Sequence, residues 1–163
     1  MHLASHGSQS SLNPLFSRMM VGQRSGPGSD SDGRLEVHEI LGMRTTSPLV
    51  FLSGCETGLA SAGLEPFAQG IEEGSLAQAF LAAGAGAVVA TLWRVSDAGA
   101  ADLAERFYRQ LGPEGTASAA EALARSQREV IRARTGSGWA AYTVWGIGER
   151  KSGTTVRTTG NRP

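Results

Sequence analysis

Two residues of this chain have the types and the setting for nucleophilic catalysis: His6, followed by Gly7, and Cys55, the only cysteine. A thiol attacks a carbonyl only as thiolate, so it needs an electropositive neighbour or a base. Imidazole suits that task because its pKa lies near neutrality. Each residue stands just past a short apolar run that reads as a strand: Met-His-Leu-Ala-Ser before His6 and Leu49-Val50-Phe51-Leu52-Ser53 before Cys55. Neighbouring parallel strands lie roughly 5 Å apart, so two strand ends at one level can bring thiol and imidazole to a single substrate despite a separation of 49 residues. Gly7 has no side chain to obstruct a substrate, and its N–H together with that of Cys55 could hold an oxyanion.

The elements that must position this pair follow from pattern. Residues 1–5 are too short a run for a helix and read as a buried strand. Residues 7–33 are rich in Gly, Ser, Asn, Pro and Asp and read as one long loop, functional or mobile. One or two helical turns are expected over 36–42, a core strand over 49–53 after Pro48, and a Gly-rich loop through Gly70. A helix over 73–83 carries Leu76, Ala79, Phe80 and Ala83 at i, i+3, i+4 and i+7 and stops at Gly84. Ala87–Leu92 forms a third strand, and Ser96 or Asp97 can cap the helix with Leu103, Phe107, Tyr108 and Leu111. A further helix over 117–134 and a last strand from Trp139 to Trp145 complete the domain, and 149–163 reads as a polar, disordered tail. This alternation predicts an α/β fold, a mainly parallel sheet with helices on both faces, whose ligands sit at the carboxyl ends of the strands.

Composition excludes several classes. Lys plus Arg balance Asp plus Glu at 15 each, which removes the basic excess that nucleic-acid binding draws on. No stretch reaches the roughly 20 apolar residues of a membrane helix, and no signal peptide opens the chain. A lone cysteine precludes an internal disulfide and fits a reducing, cytoplasmic setting.

The blocks taken in order resemble those of the CHAT domain, a caspase-like family often attached to tetratricopeptide repeats. His2-Leu3-Ala4-Ser5-His6-Gly7 is similar to its histidine strand, and Leu49 through Ser53-Gly54-Cys55-Glu56-Thr57-Gly58 to its cysteine strand. Ala79–Ala85, Val88–Trp93 with Asp97, Phe107-Tyr108, and Trp139–Tyr142 with Gly146 follow the remaining blocks, so the likeness covers residues 1–148. In caspases the histidine precedes the cysteine by about 50 residues. The resemblance implies a cysteine peptidase acting on a protein or peptide: Cys55 as nucleophile, His6 as base or ion-pair partner, Gly7 as oxyanion donor. It also implies Asp97 as a substrate-binding residue, whose competing role is to cap its helix. No cofactor is called for, and the partners implied are the substrate and tetratricopeptide repeats, in cis or on another chain. Gly54 stands where alanine is more usual, which keeps the turn open. Strands that resemble the family's earlier ones are absent before the histidine strand, so the expectation is the C-terminal part of a CHAT domain. The rival reading is a truncated, non-catalytic interaction module.

Other ligand readings fare worse. His2, His6, His38 and Cys55 could supply a zinc set, but positions 2 and 6 of a strand lie about 13 Å apart at roughly 3.3 Å per residue; His2 is expected in the core. Gly28 to Glu39 approximates a calcium loop with Asp30, Asp32, Gly33 and Glu39 in register, yet glycine takes the first ligand position, which favours a solvated acidic turn. Gly84-Ala85-Gly86 precedes a strand and lacks the third glycine of a dinucleotide loop. Trp93, Trp139 and Trp145 are expected in the core.

Overall fold

A computed structural model describes residues 1–10, 12–22, 32–54, 76–112, 117–136 and 138–146. Its larger sheet has four strands, β1 (His2–Ala4), β5 (Leu49–Ser53), β6 (Ala87–Thr91) and β7 (Tyr142–Gly146), in that spatial order. β1, β5 and β6 are parallel, and β7 returns antiparallel to β6. The register His2↔Phe51, Leu3↔Leu52, Ala4↔Ser53 keeps a constant offset of 49 residues.

Period-two alternation divides the side chains of these strands between two cores. Val50, Leu52, Val88 and Ala90 pack with Leu76, Ala79 and Phe80 of α2 (Leu76–Ala82) and Val37 and Ile40 of α1 (Val37–Gly42). Phe51 and Val89 pack on the other side with Leu103 and Phe107 of α3 (Asp97–Leu111) and Ala122, Leu123 and Val130 of α4 (Ala119–Ala133). Both faces are therefore covered by helices, which is why β6 is buried at every position.

Local chemistry sets the helix starts. Ser96, not Asp97, is the N-cap of α3, its Oγ accepting from the Gly99 N–H at 3.2 Å. Ser118 and Glu121 form a capping box on α4, and Glu36 and Glu39 do so on α1. Gly84 ends the turn after α2 at φ +109°, where a Cβ would stand 2.6 Å from the Thr45 carbonyl oxygen; a Cβ on Gly86 would meet the Pro48 oxygen at 2.8 Å. These glycines serve close backbone packing rather than a phosphate.

Three expectations need correction. Residues 7–33 are not all loop: β2 (Gly7–Ser8), β3 (Arg18–Met20) and β4 (Arg34–Glu36) build a second, antiparallel sheet, with a 3-10 turn at Pro14–Phe16. Strands of two or three residues carry no readable alternation, and this sheet is anchored by Met19, wholly buried in the α1/α2 core. The segment from Trp139 is not strand throughout, because Gly138–Ala141 is a 3-10 turn and only then does β7 begin. Gln127 of α4 holds that corner, its Nε2 donating to the carbonyls of Trp139 (2.9 Å) and Tyr142 (3.0 Å). Finally, Trp93 is 46% exposed, whereas Trp139 and Trp145 pack partly buried against the two cores. The start of the helix expected from 73, the Gly-rich loop before it, the first part of the calcium-like segment and the tail from 149 lie outside the described residues. Among the described residues no helix is long and apolar enough to cross a membrane.

Candidate active site

β1 and β5 end side by side. Ser5 N donates to Ser53 O at 3.1 Å, which carries the strand pairing one residue beyond the last register pair. There the chain of β1 leaves the larger sheet for the smaller one. Ser5 Oγ donates to the Met20 carbonyl and Met20 N donates to the His6 carbonyl at 3.0 Å, so the end of β3 holds the Ser5 side chain and the His6 backbone at the turn. The small sheet thus sets where His6 stands; its ring is exposed. Because His6 and Met20 form a hydrogen-bonded pair, the next pair, Gly7↔Met19, is of the other kind, and the Gly7 N–H turns away from β3.

On β5, Gly54 is buried and its carbonyl accepts from Thr91 Oγ1 of β6. Cys55 lies outside the described residues. A cleft of about 580 Å³ opens here between the strand ends and α3. Its strand wall includes His2, Ala4, His6 and Ser53, and its helix wall Asp97, Ala101, Ala104, Glu105 and Tyr108. The helix residues recur on one face, and the alanines leave room between the walls. His6 and Asp97, far apart in sequence, therefore line one cleft.

The end of the cleft away from His6 is aromatic. The His2 ring meets Phe51 edge-on at 4.9 Å between centroids and Tyr108 at 5.5 Å. His2 is thus not a core histidine: β1 is an edge strand, and His2 is exposed on one side while covering Phe51 with the other. Burial, aided by the N-terminal ammonium, holds its pKa below the ordinary histidine range. Burial likewise pushes the Tyr108 phenol up. Carboxylates supply the formal negative charge of the cleft, from Asp97 and Glu105, the latter 3.4 Å from Arg109.

The other proposed ligands are occupied locally. His38 is on α1, across the sheet from His2, with Nδ1 at 3.3 Å from both the Leu15 carbonyl and Glu36 Oε2. Asp32 Oδ1 accepts from Arg34 N at 2.9 Å, and Glu39 Oε2 from Glu36 N at 2.7 Å. Sequence reasoning passed over Ser53, Thr91, Glu105 and Tyr108 as site residues.

The CHAT domain family matches residues 1–147. Two solved structures, both Saccharomyces cerevisiae separase–securin complexes at 2.6 and 3.0 angstrom resolution, are similar over 69% of this chain, at 21% and 22% identity and a TM-score of 0.49 in each case. The chain spans only 7% of the length of those chains. No curated protein matches it.

Proposed function

The chain belongs to the CHAT domain family, and from that premise we propose that it is a caspase-like cysteine peptidase domain that hydrolyses a protein or peptide through His6 and Cys55. The supporting observation is the register of β1 on β5. Its offset of 49 is also the separation of His6 from Cys55, so in the sequence each comes two positions after one of the paired residues Ala4 and Ser53, and His6 lines the cleft.

In this reading His6 takes the thiol proton, and the Cys55 thiolate adds to the scissile carbonyl. The oxyanion is held by the N–H groups of Gly7 and Cys55. Collapse of the adduct expels the amine, which receives its proton from His6, and leaves a thioester. Water, activated by the now neutral imidazole, attacks that thioester, releases the acid and restores the thiol. Asp97, at the start of α3 in the cleft wall, favours a substrate side chain with positive charge, and Glu105 adds to that field.

The test is turnover of a peptide library by the full chain, read by mass spectrometry. Cys55→Ala should abolish cleavage, and His6→Ala should lower kcat at least about 100-fold, the scale of a lost general base. Asp97→Asn should raise KM for cleavage beside cationic residues more than beside neutral ones. Cleavage that persists in Cys55→Ala would contradict the proposal.

A further inference from the structure

The arginines of α3 and α4 have different surroundings. On α3, Arg106 pairs with Asp102 and Glu129, and Arg109 with Glu105 and Glu129. On α4, Arg125, Arg128 and Arg132 are exposed, and among the described residues none of them has an acidic partner. Acids stand near but are engaged elsewhere. Glu121, one turn before Arg125, has its carboxylate at the N-cap, where Oε2 accepts from Ser118 N at 3.2 Å, and Glu129 is held by the two arginines of α3.

The three arginines lie at i, i+3 and i+7, so they form a row along one side of α4, about 10 Å long at roughly 1.5 Å per residue. The other side of the helix, with Ala122, Leu123, Ser126 and Val130, is buried. Ile131, three residues after Arg128 and 46% exposed, adds apolar surface next to the row. Like charges at these spacings work against the helix. Arg132, in the last turn, is favoured by the helix dipole, but Arg125 and Arg128, at mid-helix, have no such return. A row of cations that the fold does not need is a surface for an anionic partner.

We propose that the outer face of α4 docks an acidic, amphipathic helix of a partner protein. Its carboxylates, at i, i+3 or i+4, and i+7, pair with Arg125, Arg128 and Arg132, while an apolar side chain covers Ile131. A second helix repeats at the same pitch, so the two rows can meet along their length. A membrane or a nucleic-acid duplex fits less well. The chain has no net charge to draw it to a broad anionic surface, and such a surface would press its phosphates against Glu121 and Glu129 as well as the arginines. The face lies on the side of α4 away from the sheet, so this inference does not rest on the peptidase reading.

The experiment titrates the full chain by NMR with a hydrocarbon-stapled Ala/Gln helix that carries glutamates at i, i+3 and i+7 and a leucine beside them. A second peptide has the same composition with its glutamates spread around the helix. The patterned peptide should bind at least about 10-fold tighter, the scale of three exposed ion pairs together, and added salt should narrow the difference. The chain carrying Arg125→Glu, Arg128→Glu and Arg132→Glu should lose that preference and bind instead a peptide with lysines in place of the glutamates. Arg125→Gln with Arg128→Gln adds no charge to the helix, and should lose most of the preference at an unchanged melting temperature. Vesicles of phosphatidylserine and phosphatidylcholine and a DNA duplex are the remaining arms. Equal binding of the two glutamate peptides, a preference that survives the paired Gln substitutions, or arginine-dependent binding to vesicles or duplex in place of the peptide overturns the assignment.

Discussion

Thr91 is wholly buried, and its hydroxyl donates to the carbonyl of Gly54, the residue before Cys55. It ties the end of β5 to β6 where the chain leaves the sheet. Thr91→Val keeps the shape and loses the bond, so it should cost about 1–3 kcal/mol. In a domain of this size each kcal/mol lowers the melting temperature by about 2–4 °C, which calorimetry would register, and Thr91→Ser should recover most of the loss. His6 and Asp97 could be picked out from sequence because a histidine before glycine and an acid after a strand stand out against apolar runs. Ser53 and Thr91 could not, because a small hydroxyl residue at the end of a strand looks the same whether it is bonded, orphaned or facing water.

The pairing of elements shows a similar division. Leu49–Ser53 agrees with its expected bounds, and Ala87–Thr91 falls one residue short of them, because a short run of four or five successive apolar or β-branched residues suits a central strand buried on both faces. The sheet of β2, β3 and β4 was hidden, since its hydrogen bonds join residues distant in sequence and only Met19 and Leu35 mark its inner face. Equally hidden was the clamp between α3 and α4, which supports the helix wall of the cleft. Arg106 Nε donates to Asp102 at 2.8 Å and its Nη1 lies 3.5 Å from Glu129, while Thr135 Oγ1 donates to Asp102 at 2.9 Å. Burial would raise both acids, but hydrogen bonds from Arg106 and Thr135 to Asp102, and from Arg109 and Gln110 to Glu129, hold both below the usual carboxylate range. A folded-state pKa below the unfolded value gives stability that is complete above the unfolded value, about 4, and is lost as pH falls through the folded ones. His2, a base with a depressed pKa, adds an earlier and shallower loss as pH falls below about 6.5. Urea midpoints measured against pH should therefore fall in two stages. Asp102→Asn should flatten the lower stage and spare the upper; an unchanged lower stage would remove the clamp from the account.

For the whole molecule, the decisive arrangement is one sheet between two cores, with the cleft at the carboxyl ends of β1 and β5. Strand and helix rhythm in the sequence was enough to expect a mainly parallel sheet covered on both faces, because burial on both sides demands apolar residues at successive positions. The antiparallel return of β7 and the wrap of Gly138–Ala141 were not, since both depend on α4 presenting Gln127 to that corner. What the fold contributes to function is a fixed offset between two strands, and the central claim is that this offset pairs His6 with Cys55. The most direct measurement is intact-mass labelling of the full chain by a peptidyl electrophile carrying arginine. The wild type should gain one adduct, mapped to Cys55 by peptide sequencing, with His6→Ala labelled far more slowly and Cys55→Ala unlabelled. Equal labelling of the wild type and His6→Ala would contradict the pairing.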